Sequence, residues 1–216
     1  MANIITALQV QKKNPQRVNV FINGEFAFGL ARIIAAWLKV GQDLSEPKIA
    51  ELKTLDEKEQ ALQRALNLIN YRPRSETEIR NHLKKYQIPE ETTTAVIARL
   101  RESGLLNDQQ FAETWIENRA AFRPRSKRAL RMELAQKGID ETIIKETLAG
   151  VNDDEQAYEA GQKKARQLRT TDEKEFKHKL LGFLARRGFS YEVASPVVKR
   201  LWEEKNNEED ITWKSS

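Results

Sequence analysis

The sequence predicts a mainly α protein of tandem three-helix repeats forming an elongated curved body, with a small N-terminal β-hairpin and helix unit. Three observations carry this. Arg-Pro-Arg-Ser occurs twice, at 72–75 and 123–126, 51 residues apart. The pairs Ile79 and Leu130, Leu83 and Leu134, Ile88 and Ile139, and Ile97 and Leu148 keep the same offset. Self-similarity at a fixed spacing means one structural unit used more than once, and stacked units bury their faces against neighbours. Residues 4–30 stand apart, because their apolar positions alternate with a period of two.

In the N-terminal unit, residues 1–56, the segments ITALQVQ, RVNVFIN and EFAFGLA read as three strands, rich in β-branched and aromatic residues. Asn23-Gly24 predicts a tight hairpin, since both central turn positions need positive φ. Asn14-Pro15 marks a looser turn before it. Val18, Val20 and Ile22 share one face, and Phe26, Phe28 and Leu30 share another. From Ala31 the period becomes helical: Ile33, Ile34, Trp37 and Leu38 form a stripe, ended by Gly41. Ser45 caps a second short helix over 46–55.

The first repeat covers 57–105. Leu62, Leu66 and Ile69 face one way; Pro73 stops that helix. Ser75, with Glu78 three residues on, starts the next as a capping box. Ile79, Leu83 and Tyr86 are its buried stripe, and Val96, Ile97 and Leu100 the third before Gly104. The second repeat, 106–150, begins at Asp108 as N-cap. Phe111, Ala112, Trp115, Ile116 and Phe122 line its first helix, Leu130 and Leu134 its second, and Ile143, Ile144 and Leu148 its third. Gly138 breaks it and Asp140 caps the last helix. A diverged third repeat, 151–204, places Leu180, Leu184, Gly188, Phe189 and Val198 at an offset of 50, with LRTTDEKE where Arg-Pro-Arg-Ser would stand. Ser195 is read as a cap with Pro196 at the first helical position. Residues 205–216 are a polar tail, in which Trp213 is a candidate partner anchor. Trp37, Trp115 and Trp202 are read as packing residues.

The 216 residues carry 37 Lys and Arg against 32 Asp and Glu, a net charge of +5, with pI about 9.3 and mean hydropathy −0.68. An anionic partner is expected, and electrostatics alone would hold it weakly at physiological salt. The absence of cysteine excludes disulfides, thiolate zinc sites and cysteine nucleophiles. The N-terminus lacks the pattern of a signal peptide, and no apolar run is long enough for a membrane span. The expectation is a cytoplasmic protein with no membrane partner.

No phosphate-binding glycine loop is present. His82 and His178 lie about two repeats apart without metal-ligand spacing, and read as exposed or packed helix residues. Acidic runs such as Asp153-Asp154-Glu155 cap helices or face solvent. No catalytic, cofactor or metal site is expected, and the chain is read as no enzyme. The positive signal is basic: Arg72, Arg74, Lys84 and Lys85 in the first repeat, and Arg123, Arg125, Lys127, Arg128 and Arg131 in the second. Solvated helix faces explain such groups in general. Lys127 and Arg128 in a first helical turn, however, oppose the macrodipole, which implies an anion nearby. Arginine forks suit phosphate or carboxylate.

The stretches ALNLINYRPRSETEIRNHL, GLLNDQQFAETWIENR and RPRSKRALRMELAQKGID, with the N-terminal ITALQVQKKNPQRVNVFINGEFAFGLA, closely resemble the RecX family, bacterial regulators of the RecA recombinase. The resemblance implies a monomeric helical-repeat protein of DNA repair, homologous recombination and the SOS response. It would bind the groove of the RecA–single-stranded DNA filament, bridge protomers, and inhibit ATPase and strand exchange. The basic residues would meet acidic recombinase groups or phosphates of single-stranded or double-stranded DNA. A stand-alone, non-specific DNA-binding helical protein and a protein–protein adaptor are the rival classes. The missing arginine turn in the third repeat makes the first two the expected contact region.

Overall fold

The computed structural model describes the backbone of residues 2–214 and the side chains of residues 2–207. Three antiparallel strands, β1 (Ile5–Gln11), β2 (Asn14–Ile22) and β3 (Glu25–Ala31), form one sheet in that order. Asn23 at φ 52° and Gly24 at φ 92° make the predicted hairpin turn. The first turn falls on Lys12-Lys13 rather than Asn14-Pro15, because Gln11 already pairs with Asn14. Val18, Val20, Phe28 and Leu30 are buried as expected, but Phe26 is 59% exposed. A bulge lies between the pairs Val20–Phe28 and Phe21–Phe26. The extra residue puts Phe26 on the other face, edge-on to Phe21.

Helix α1 (Arg32–Ala35) is a single turn. It ends well before Gly41, whose φ of 88° serves a turn that brings its N–H to the Ile5 carbonyl at 2.8 Å. Trp37 therefore leaves the core, 86% exposed. Ser45 caps α2 (Glu46–Tyr71), its Oγ accepting from Lys48 N–H. This helix does not stop at Leu55: 26 residues run unbroken, since 55–58 hold neither glycine nor proline. Asp56 on this helix is buried and ties it to the sheet. It accepts from Ala31 N–H at 2.6 Å, from both Arg17 Nη atoms and from Gln60 Nε2.

Helices α3 (Glu76–Lys85) and α4 (Glu90–Glu102) complete the first repeat around Leu62, Ile79, Leu83, Ile97 and Leu100. Tyr86 is half exposed rather than buried. The second repeat is α5 (Asp108–Phe122), α6 (Lys127–Gln136) and α7 (Glu141–Leu148), with Phe111, Leu130, Leu134 and Ile144 at its centre. The third is α8 (Asp153–Ala165), α9 (Glu173–Arg186) and α10 (Tyr191–Lys214), packed on Phe176, Leu180, Leu184 and Val198. Pro196 lies inside α10, not at its start. Ser190 Oγ accepts from Val193 N–H at 3.4 Å, so the helix begins where the buried stripe Ala194, Val197, Val198 and Leu201 begins. Burial of that stripe offsets the one bond the proline cannot make. The tail expected from 205 is helical to Lys214; the Trp213 side chain lies outside the described ones.

Two compact units result. One holds the sheet and most of the first repeat, residues Met1–Arg74 and Glu78–Leu106; the other holds Ser75–Thr77 and Asn107–Ser216. The small N-terminal unit thus borrows its support from α2 through Asp56. Replacing Asp56→Ala strips the Arg17 guanidinium and the Ala31 N–H of their buried acceptor. We expect a loss of about 3 kcal/mol, read as a lower urea midpoint with the sheet signal lost first.

Candidate interaction surface

The two Arg-Pro-Arg-Ser segments are helix junctions before they are anything else. Pro73 and Pro124 end α2 and α5 and force extended backbone on Arg72 and broad β-like backbone on Arg123. The serines then start α3 and α6, and both are buried. Each is also held by a distant turn within the second unit. Ser75 Oγ donates to the Lys137 carbonyl at 2.6 Å, and Ser126 N–H donates to the Arg187 carbonyl at 3.2 Å. The next N–H in each case finds a carboxylate: Glu76 N–H meets Asp108 Oδ1 at 2.8 Å, and Lys127 N–H meets Asp153 Oδ1 at 2.7 Å.

One expectation is corrected here. Asp108 does not cap its own helix; Asn107 does, and the Asp108 carboxylate is used at the start of α3 instead. At the start of α6 the backbone N–H of Lys127 is met by Asp153, while the Lys127 and Arg128 side chains have no ion-pair partner among the described residues.

The receiving turns are glycines in the left-handed region, Gly138 at φ 74° and Gly188 at φ 92°. A Cβ on Gly138 would overlap the Thr77 side chain, and one on Gly188 would sit 2.6 Å from Ser126 Oγ. At the matching place in the first repeat the residue is Gln87, at φ 57° and exposed. Nothing packs on it that excludes a side chain.

The nine basic residues singled out in the sequence divide by partner. Arg72 holds Glu78 with both Nη atoms, at 2.8 and 3.2 Å. Arg74 donates Nε to the Leu68 carbonyl. Arg131 pairs with Glu141 on the surface at 2.8 Å. Arg125 pairs with Glu133 at 3.0 Å, and that carboxylate also accepts from Trp115 Nε1 and Arg119 Nε. Lys84, Lys85, Arg123, Lys127 and Arg128 have no ion-pair partner among the described residues. Lys127, Arg128, Arg131 and Lys145 rim an open groove of about 510 Å³ floored by Ile144 and Leu148.

Sequence reasoning missed two further features. Tyr71 is 87% exposed and Phe122 is 76% exposed, each immediately before its Arg-Pro-Arg-Ser. The core role expected for Phe122 is therefore wrong: at the last position of α5 it points past the stripe that Phe111 and Ala112 bury. The 51-residue offset relates the two aromatics and would have shown the repeated unit to be aromatic-Arg-Pro-Arg-Ser. Around Phe122 the charge is positive. Lys163 Nζ donates to the Ala121 carbonyl at 2.8 Å, and Arg187 Nη1 to the Pro124 carbonyl at 3.0 Å. Burial, then Arg125 and Arg123, push the Arg187 guanidinium below its ordinary pKa. Lys164, His178, Lys179 and Arg186 rim a second basic groove, on the third repeat.

Comparison with known proteins agrees with this architecture piece by piece. The family model for the regulatory protein RecX N-terminal domain matches residues 3–45, and those for the first, second and third RecX three-helix domains match 61–100, 107–148 and 152–198. The regulatory protein RecX of Bacillus velezensis is 34% identical over 96% of this chain and 81% of its own. That of Bacillus subtilis is 35% identical over 95% and 79%. The chain belongs to the RecX family. A crystal structure of a regulatory protein RecX superposes with a TM-score of 0.67 at 28% identity, covering 91% of this chain and 98% of that one. RecX from Lactobacillus salivarius shares the fold at a TM-score of 0.59 over 68% of this chain. Among the described residues no His, Cys, Asp or Glu group is arranged to hold a metal, and no helix is long and apolar enough to cross a membrane.

The RecX motif thus makes a prediction about its glycine seat. Gly188→Ala combines left-handed strain with a clash against Ser126 and Ala129, and should cost roughly 2–4 kcal/mol. Gly104→Ala, at φ 70° with open space around it, should cost only about 1–2 kcal/mol. Thermal unfolding of both variants beside the parent checks the difference.

Proposed function

We propose that this protein regulates a RecA-type recombinase by binding its filament on single-stranded DNA and lowering its ATPase and strand-exchange activity. It does so in the cytoplasm, as a monomer with no catalysis of its own. The observation that carries this reading is the exposed aromatic–arginine step placed twice in the chain, Tyr71-Arg72 and Phe122-Arg123. Neither aromatic is needed by the core. Exposed aromatics beside arginine are the residue types that anchor protein–protein contacts and nucleic-acid strands. A filament presents one chemical surface repeatedly, which suits an element that is itself repeated.

A second reading, direct and non-specific DNA binding without a recombinase, is favoured by one observation: the basic groove of Lys164, His178, Lys179 and Arg186 lies on the repeat that lacks the motif. Both readings are separated by recombinase ATPase on single-stranded DNA, measured beside direct DNA binding at two salt concentrations. The regulatory reading predicts inhibition at protein concentrations where direct binding is absent at high salt.

Charge reversal at Arg123 and Arg128, whose side chains have no ion-pair partner among the described residues, should weaken inhibition about tenfold with thermal stability unchanged. Reversal at Arg125 should instead lower stability, because it places a carboxylate against Glu133. Full inhibition by the Arg123 and Arg128 reversal variant would remove these residues from the contact.

A further inference from the structure

The second and first repeats solve one electrostatic problem differently. In the second, Glu133 is the shared acceptor of Trp115 and Arg119 and the ion-pair partner of Arg125, while Lys137 Nζ lies 5.2 Å over the Trp115 ring. The residues 51 positions earlier are Arg64 for Trp115, Arg74 for Arg125, His82 for Glu133 and Tyr86 for Lys137. The cation–aromatic pair survives with its members exchanged: the Arg64 guanidinium lies 4.2 Å over the Tyr86 ring. The carboxylate does not survive. An imidazole stands in its place, edge-on to Tyr86 with ring centres 5.2 Å apart.

No carboxylate stands in the first repeat at the position Glu133 holds in the second. The charges acting on His82 are Lys85 of its own helix, Arg74 of the junction and Arg64 of α2; all are positive. Burial first, then these three, hold the imidazole below its ordinary pKa. Arg74 is lowered by burial and by Arg72. Glu78 works the other way on Arg74, and its carboxylate also accepts from both Nη atoms of Arg72. Neither Arg64 nor Lys85 has an ion-pair partner among the described residues.

We propose that Arg64, Arg74, His82 and Lys85 form an anion-binding site, which takes a nucleic-acid phosphate into the role the Glu133 carboxylate fills in the second repeat. Phosphate accepts from arginine forks and from a protonated imidazole together. The half-exposed Tyr86, in contact with both Arg64 and His82, suits a strand rather than an isolated ion. Binding draws one proton from solvent onto His82. Between the lowered midpoint of the free imidazole and the raised midpoint of the bound one, the bound state holds more proton than the free state, and across that window affinity rises as pH falls. The limit is tenfold per pH unit while the free imidazole is neutral and the bound one charged.

The site needs no recombinase, so the test uses the whole protein with a fluorescent twelve-residue oligothymidylate. Anisotropy should show affinity rising severalfold or more between pH 7.5 and 6.0. His82→Gln should flatten that rise while leaving affinity at pH 7.5 within about twofold. His178→Gln should keep it, and assigns the two histidine signals by NMR. Adding oligothymidylate should move the His82 titration midpoint upward. An unmoved midpoint, or a His82→Gln variant with the parent's pH dependence, overturns the proposal. A midpoint moved by a glutamate-rich peptide and not by the oligonucleotide overturns it in favour of an acidic protein segment. None of these results depends on recombinase ATPase, so that function stands or falls separately.

Discussion

The second unit is organised by the exchange of hydrogen bonds at the start of each motif helix. A buried serine and the N–H after it would be orphaned donors at a helix N-terminus. They are satisfied by a carbonyl and a carboxylate from far along the chain: Lys137 and Asp108 for one, Arg187 and Asp153 for the other. Each seat requires a left-handed residue with no Cβ, which fixes Gly138 and Gly188. In the third repeat the serine motif is missing, and Asp172 caps α9 in the ordinary way, accepting from Lys174 N–H.

That account changes what the arginines mean. The motif arginines are not one class of residue. Arg125 is consumed by Glu133, and Arg72 by Glu78, so both are parts of the fold. Arg123 follows an exposed phenylalanine and has no acid of its own among the described residues. Arg74, the counterpart of Arg125, has His82 where Arg125 has Glu133. Function is best sought where the fold has left charge unbalanced, because a buried or half-buried cation without a counter-charge is costly unless something supplies one. By that criterion the first repeat, not only the second, carries the open sites.

Much of this was legible in the sequence because the signals were redundant. The 51-residue offset, the prolines and the apolar stripes each gave the helices independently, and the three strands follow from a period of two with Asn23-Gly24 between them. What failed did so where one residue type serves two physical roles. Asp56 reads as a boundary acid, but it is a buried ligand of Arg17 inside an unbroken helix. Asp108 stands at a helix start yet serves another helix. Trp37 and Phe122 fit a helical stripe by spacing, and leave the core because α1 ends after one turn and α5 after Phe122. Periodicity assigns a face to a residue; it cannot say where the helix that carries that face will end.

The exchanged cation–aromatic pair shows what the repeat holds fixed. Arg64 over Tyr86 and Lys137 over Trp115 place opposite residue types at matching positions and keep the contact between first and second helices. The geometry of the pair is set by helix packing, whereas either end can supply the ring or the charge. The neighbouring position is under no such exchange. Glu133 closes its network with two donors and an ion pair to Arg125, and His82 supplies no such acceptor charge. An imidazole is the one common side chain that can stand neutral among three cations and still become a donor when an anion arrives. The same helix pair therefore builds a cluster closed on a carboxylate in one repeat and, on the proposal above, one completed by an anion in the other.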